Sequence, residues 1–399
     1  MQDILTVLNN LAWPFAISIA WLGGEFGHRW TGLPRISIYG VVGFILANAG
    51  SLIAPGLLIE ADRNSLMLLA NIAFGLILFE FGYRINVRWL KANPWIGITG
   101  VVESILTFIA VYWVSIWFGS TNLVALLLAS LAMSTSPAGI LRVINEQRSS
   151  GQVTERILHL SALNCVLAVF MFKVILGFWV FQSSDNLVQA ASHSLLVLLA
   201  SAGLGAFFGI FTPAILRRLG NLAQDATVAF ALAVILLVAI MHATKLSPII
   251  ATLVFGLVSR HRRVALSQTQ RNFGALGDLL TVLLFVFAVS TLEWQRVVAG
   301  MSLGLTLIAT RFMTKTIVNA AFAHVAGISW RKGVLTGMAL APISVFVILI
   351  LEQARYLGIA LADELAALAA MTLLLEIVGP IITQRALIMA KETNYASEQ

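Results

Sequence analysis

The sequence predicts an all-α polytopic membrane protein with about thirteen transmembrane helices. Three observations carry that prediction. Apolar residues make up 59% of the 399 residues and charged residues 11%, with a mean hydropathy of +0.92, which excludes an ordinary soluble globular domain. Apolar runs near the ~20 residues a helix needs to cross a bilayer recur along the whole length. Basic residues also segregate to alternate connections between those runs, as cytoplasmic loops require.

The expected spans are 4–27, 35–51, 64–83, 95–118, 122–144, 157–181, 190–216, 226–243, 246–259, 274–291, 297–324, 333–351 and 363–388. The first is not expected to be a cleavable signal, because Asp3 stands where a basic region belongs and the apolar run is long. The ninth, 246–259, is too short to stand alone. Trp30, Trp89, Trp95, Trp113, Trp117, Trp179, Trp294 and Trp330 fall near predicted ends, where interfacial anchors sit; Trp13 and Trp21 lie inside a span. Of the 25 lysines and arginines, 18 fall on one side of this arrangement, 4 on the other and 3 within spans. The N-terminus is therefore expected outside and the C-terminus in the cytoplasm. The net charge of +7 is accounted for by topology and implies no nucleic acid. Cys165, the only cysteine, excludes an intrachain disulfide. No metal-ligating cluster and no nucleotide-binding loop is apparent, so neither a metal nor another cofactor is expected, nor an enzyme.

Two spans are broken. The fifth reads LLLASLAMSTSPAGILRVI over Leu126–Ile144, interrupted by Ser134, Thr135, Ser136, Pro137 and Gly139. Proline lacks the helix-bonding N–H, and in hydrocarbon the freed backbone groups must be met by protein, water or a bound ion. The twelfth, 333–351, is broken at Ala341-Pro342-Ile343-Ser344. These are the fifth members of two six-span halves separated by one linker span. An odd linker inserts the halves in opposite orientations. Paired interrupted helices in inverted halves point to a transporter site near the midplane. The expected organisation is a single integral domain over 1–390, with repeat one at 1–182, linker helix 190–217 and repeat two at 226–390, followed by a short cytoplasmic tail, 391–399.

Several stretches carry a family likeness. Phe26–Leu46, FGHRWTGLPRISIYGVVGFIL, has Leu33-Pro34 ahead of a glycine-rich span; Gly75–Leu90 reads GLILFEFGYRINVRWL. Ser134-Thr135-Ser136-Pro137 is followed by Leu163-Asn164-Cys165-Val166-Leu167-Ala168, and Leu246-Ser247-Pro248 by Ala251 and Gly256-Leu257. Together these resemble the cation:proton antiporter superfamily, the sodium/proton and potassium/proton exchangers. The TSP break followed by LN-x-VLA is the specific part.

The resemblance implies a homodimer built from a dimerisation bundle and a mobile core, in which the two broken helices cross and the core moves like an elevator. It implies exchange of a monovalent cation, Na+ or K+, for protons, in a bacterial inner (plasma) membrane. It places the binding site at Thr135, Ser136, Asn164 and Cys165, with Ser344 approaching from the second break.

The sequence departs from the pattern at the acid that follows the asparagine, where it has Cys165. A thiol has a reference pKa near 8.5 and carries no charge at neutral pH, so it does not replace a carboxylate. Arg84 stands where the family has glutamate, and Ala341–Val347 lacks the charged residues many members carry.

Other intramembrane charges are therefore candidates for the ion chemistry. Arg311 and Lys315 lie mid-span and four residues apart, on one helix face. Arg311 lies about fourteen residues from either end, too deep to reach the interface. Glu376 and Glu103 are the acids expected to neutralise them and to titrate in place of the missing aspartate. Glu80 and Arg84 read as an i, i+4 interfacial pair, Lys173 as a residue within reach of the interface, and His159 and His242 as packed near helix ends. Two other readings remain open: the same scaffold carrying a different substrate, an anion, because the core is net basic; and a non-transporting membrane sensor or partner subunit.

Overall fold

In hydrocarbon the backbone has to satisfy its own hydrogen bonds, so an apolar chain of this composition has to be helical. The computed structural model describes residues 2–53, 63–179, 187–219, 222–262, 273–290, 292, 294–344, 347 and 366–393, and among these it has sixteen helices and no strand. They are α1 (Gln2–Thr31), α2 (Arg35–Ile53), α3 (Arg63–Arg84), α4 (Val87–Ala92), α5 (Pro94–Trp117), α6 (Asn122–Ala132), α7 (Pro137–Gln147), α8 (Gln152–Trp179), α9 (Leu187–Leu219), α10 (Leu222–Ala243), α11 (Pro248–His261), α12 (Gly274–Ser290), α13 (Trp294–Ala299), α14 (Met301–Ala321), α15 (Trp330–Ala339) and α16 (Ala366–Met389). Every span expected from the sequence falls on helix over at least part of its length. The later part of span 333–351 and the loop positions Arg263 and Arg271 lie outside the described residues.

Among the described residues, seven helical stretches are long and apolar enough to cross a membrane by themselves. Helix α11 is not among them. Its 14 residues reach about 21 Å against the ~30 Å of hydrocarbon. It is enclosed rather than exposed to lipid along its length: α3 and α9 pack along it. Its Gly256 and Gly82 of α3 make the contact reciprocal. A Cβ at Gly82 would stand 2.1 Å from the Leu253 carbonyl oxygen, and one at Gly256 2.0 Å from that of Phe79. Small residues bring the two backbones together in the way close membrane helix pairs require.

The packing falls into two groups. Helices α5, α6, α8, α14, α15 and α16 pack on one another around the two breaks. Helices α3, α9, α10 and α11 form a second group, which α12 extends through its contact with α3, and α2 and α1 follow on α12. The groups are joined where α7 touches α8 and α16 on one side and α3 on the other, where α8 packs on α9, and where α2 packs on α16. The tryptophans expected at span ends include strongly exposed ones: Trp30, Trp113, Trp117, Trp294 and Trp330 all present their rings outward, while Trp13, inside its span, is buried.

Candidate functional site

Each break is written in its local sequence. Helix α6 stops at Ala132; Met133 closes its last turn, and the Ser134 hydroxyl donates back to the Leu131 carbonyl (2.7 Å). Pro137 is then the first residue of α7 rather than a kink inside a helix, the position where its missing N–H costs nothing. Ser136 caps that new helix, its Oγ accepting from Gly139 N at 3.0 Å. Helix α15 stops at Ala339, and 341–344 are non-helical around Pro342. The two breaks meet directly: Ser136 N donates to the Pro342 carbonyl (3.0 Å). Helix α16 closes over the crossing at Gly379, where a Cβ would stand 2.7 Å from Pro342 Cα.

Stopping α6 and α15 here leaves their carbonyl ends pointing at one place, and α14 fills that place with Arg311. Its Nε donates to Ala132 O (2.9 Å), Nη1 to Ala341 O (2.6 Å), and Nη2 to Ser134 O (2.7 Å), Leu340 O (3.1 Å) and Pro342 O (3.2 Å). Arg311 is 1% exposed. Its guanidinium is the one donor set among protein side chains that is permanently charged and wide enough to hold both unwound segments at once.

One turn along α14, Lys315 donates to Glu103 of α5 and to the Met133 carbonyl (3.2 Å). Both members of that ion pair are fully buried. The other Glu103 oxygen accepts from Asn164 Nδ2 (3.1 Å), which is also 3.2 Å from Thr135 Oγ1. Ser104, next to Glu103 on α5, donates to Asn164 Oδ1 (2.9 Å). Cys165 donates its thiol to the Thr135 carbonyl (3.0 Å), and the Ser344 hydroxyl comes against that thiol without a well-aligned hydrogen bond. A carboxylate thus reaches the asparagine after all, from α5 instead of from position 165.

The charges are largely offset. Arg311 and Lys315 bring two positive charges and Glu103 one negative. The C-terminal ends of α6 and α15 supply roughly −0.5 each, and the N-terminal end of α7, capped by Ser136 at the same crossing, roughly +0.5.

The expected residues divide accordingly. Thr135, Asn164, Cys165, Ser344, Arg311, Lys315 and Glu103 converge on the crossing. Ser136 is at the crossing too, but its hydroxyl is occupied as a helix cap rather than directed at Asn164. Glu376 departs from expectation: among the described residues it pairs with neither Arg311 nor Lys315, and its Oε1 is buried without a partner. The reason is that Arg311 is satisfied by backbone carbonyls, which a search for a matching carboxylate overlooks. Ser104 was missed; its signal was adjacency to a mid-span acid. His159 is packed as expected, with Nδ1 on the Glu155 carbonyl (2.7 Å) and its ring on Trp89. Glu80 and Arg84 do pair (3.2 Å), but nearly buried and joined by Asn145.

The model of the family described as "Sodium/hydrogen exchanger, transmembrane" matches residues 15–389. The chain belongs to the sodium/hydrogen exchanger transmembrane family. It is a transporter family rather than an enzyme family. Among solved structures, the sodium proton antiporter MjNhaP1 from Methanocaldococcus jannaschii at pH 8 is similar over 98% of this chain and 97% of that one, with a TM-score of 0.65 and 16% identity. At that identity the likeness speaks for the exchanger fold. No curated protein sequence matches the chain. Against the family's Asn-Asp pair, this exchanger-family member carries Asn164-Cys165 and brings Glu103 to the asparagine from another helix.

Proposed function

We propose that the protein exchanges a monovalent cation, Na+ or K+, for protons by elevator-like alternating access. The observation that carries this reading is the Glu103 carboxylate held on Asn164 and Lys315 beside the crossed breaks. Competition between a cation and a proton needs one buried anionic group whose resident counter-charge can leave. Glu103 and Lys315 supply it. A bare cation binds Glu103 in place of the ammonium, and Lys315 gives one proton to water and becomes a neutral amine. The reverse step takes the proton back and expels the cation. Thr135, Asn164 and Ser344 offer neutral oxygens around it. Arg311 stays fixed, holding the two breaks together through both steps.

The six-plus-one-plus-six inverted repeat, a homodimer formed through the bundle outside the crossing, and a bacterial inner-membrane location with the N-terminus outside complete the proposal. The two packing groups support a division into moving and static parts. The Glu103–Lys315 pair favours a cation over an anionic substrate, because it offsets part of the basic excess that suggested an anion.

The test is flux in proteoliposomes with internal pH read out, over Na+, K+, Li+ and small anions. Wild type is expected to move protons against Na+ or K+. Glu103→Gln is expected to reduce that flux by more than about tenfold, the equivalent of about 1.4 kcal/mol. Cation-driven proton flux that survives Glu103→Gln and Lys315→Met at the wild-type rate would remove these residues from the mechanism. A wild type that moves no ion would bring forward the non-transporting reading.

A further inference from the structure

Glu376 is buried to 1% exposure on α16, and its Oε1 has no partner among the described residues. Its surroundings can be read from the stripe it belongs to. Thr372, Glu376, Gly379 and Thr383 follow one another at helical spacing on one face of α16. Thr383 Oγ1 donates to Ala339 O (2.9 Å), at the end of α15, and Gly379 lies on Pro342. Glu376 stands on the same face, one turn along α16 from the contact of Gly379 with Pro342 at the second break. Thr372, one turn further, also has a buried hydroxyl without a partner.

The basic groups on the elements that pack against α16 are otherwise engaged. Arg35 of α2 is bonded to Glu25 and Glu146, and Arg142 of α7 to Asp278. Arg311 and Lys315 of α14 are held as described; Lys332 of α15 lies 3.7 Å from Glu392, and Arg331 donates to the Met389 carbonyl. Tyr39 of α2 interacts with Arg142, and Arg296 of α13 is held by contacts of its own. None of these reaches Glu376. An ionised carboxylate without a counter-charge or donor is not tolerated in such a place.

We propose that Glu376 is a second proton-binding site of the exchanger, distinct from the Glu103–Lys315 pair and set at the second break. The carboxyl carries its proton in the state seen here. When the core meets water on one side, the O–H bond breaks, the proton leaves to water, and the carboxylate is hydrated until a proton returns. Glu376 therefore releases and takes back a proton as the core opens to water and closes again, apart from the proton exchanged at Lys315. The inference rests on the exchange reading, but its chemistry is separable from it.

The experiment has two arms. The first treats the full-length protein in liposomes with dicyclohexylcarbodiimide, which adds to protonated carboxyls in apolar surroundings, and locates the adduct by peptide mass spectrometry. Glu376 is expected to be modified, more at mildly acidic than at alkaline pH, and Glu103 to be spared by its ion pair. This arm needs no transport, so it stands even if wild type moves no ion. The second compares proton flux in wild type, Glu376→Gln and Glu376→Asp. The glutamine variant is expected to lose the pH dependence of proton flux contributed by this group and its inhibition by the carbodiimide. The aspartate variant keeps both, with a shifted pH profile. An unmodified Glu376 at every pH, or a glutamine variant with wild-type rate, pH profile and carbodiimide sensitivity, would overturn the proposal. If glutamine prevents folding, the labelling arm and the aspartate variant still decide.

Discussion

Cys165 occupies the position that gives the family its acid, yet the structure gives it a modest part: one thiol hydrogen bond to the Thr135 carbonyl. Cys165→Ala should therefore keep the fold and the flux, because a buried thiol packs like a small apolar group. Cys165→Asp is a different matter. It sets a second carboxylate beside Asn164 with Lys315 and Arg311 close by, and should raise cation-dependent proton flux over wild type in the same liposome assay. Unchanged flux in Cys165→Asp together with lost flux in Cys165→Ala would reverse the assignment of the acid to Glu103. Arg311 is the residue on which the crossing depends. A lysine there has three donors where the guanidinium meets five carbonyls, and only that of Pro342 has a second donor, Ser136 N, so at least one would go unpaired. Arg311→Lys should cost about 2–3 kcal/mol or more, read as a lowered thermal midpoint in detergent. The presence of two buried cations was legible in the sequence. Their partners were only half legible: Glu103 is a letter in the chain, but the carbonyl oxygens that take Arg311 belong to every residue alike.

The broken helices show why some elements can be read in advance and others not. Pro137, Pro342 and the serines and glycines around them act within a turn of where they stand, so both breaks fell where the sequence placed them. Helix α7 is the contrary case. Arg142, Asn145 and Glu146 share one of its faces and reach three different helices. Arg142 pairs with Asp278 of α12, Asn145 with Glu80 and Arg84 of α3, and Glu146 with Arg35 of α2 (2.9 Å). In the sequence Arg142 and Arg35 counted only as positive-inside charges, because their partners lie 136 and 111 residues away. The half-helix that starts at the first break is thus tied ionically to helices outside the crossing. Under the elevator reading these ties exchange with water when the core moves. A double-mutant cycle on Arg142→Gln and Asp278→Asn should give a coupling of about 0.2–1 kcal/mol, as expected for a pair partly open to solvent. No coupling at low salt would mean the contact is incidental.

At the scale of the whole molecule, the prediction that remains is orientation, and it tests the span count as well. Charge alone suggested it: 18 basic residues collect on one side of thirteen spans and 4 on the other. Helix positions agree with those spans, but helices do not say which end faces the cytoplasm. Two positions on opposite sides settle it. Ser267 lies between α11 and α12, in a stretch with Arg260, Arg262, Arg263 and Arg271, outside the described residues. Ser120 lies on the short turn between α5 and α6. The chain is well suited to the experiment, since Cys165 is its only cysteine, and serine there can still donate to the Thr135 carbonyl. In a Cys165→Ser background, a membrane-impermeant maleimide should reach Ser267→Cys only from the cytoplasmic side and Ser120→Cys only from outside. Reversal of both would turn the molecule over and leave the span count standing. Labelling of both from one side would mean an odd number of crossings has been miscounted between them, and with it the inverted relation of the two halves would fall.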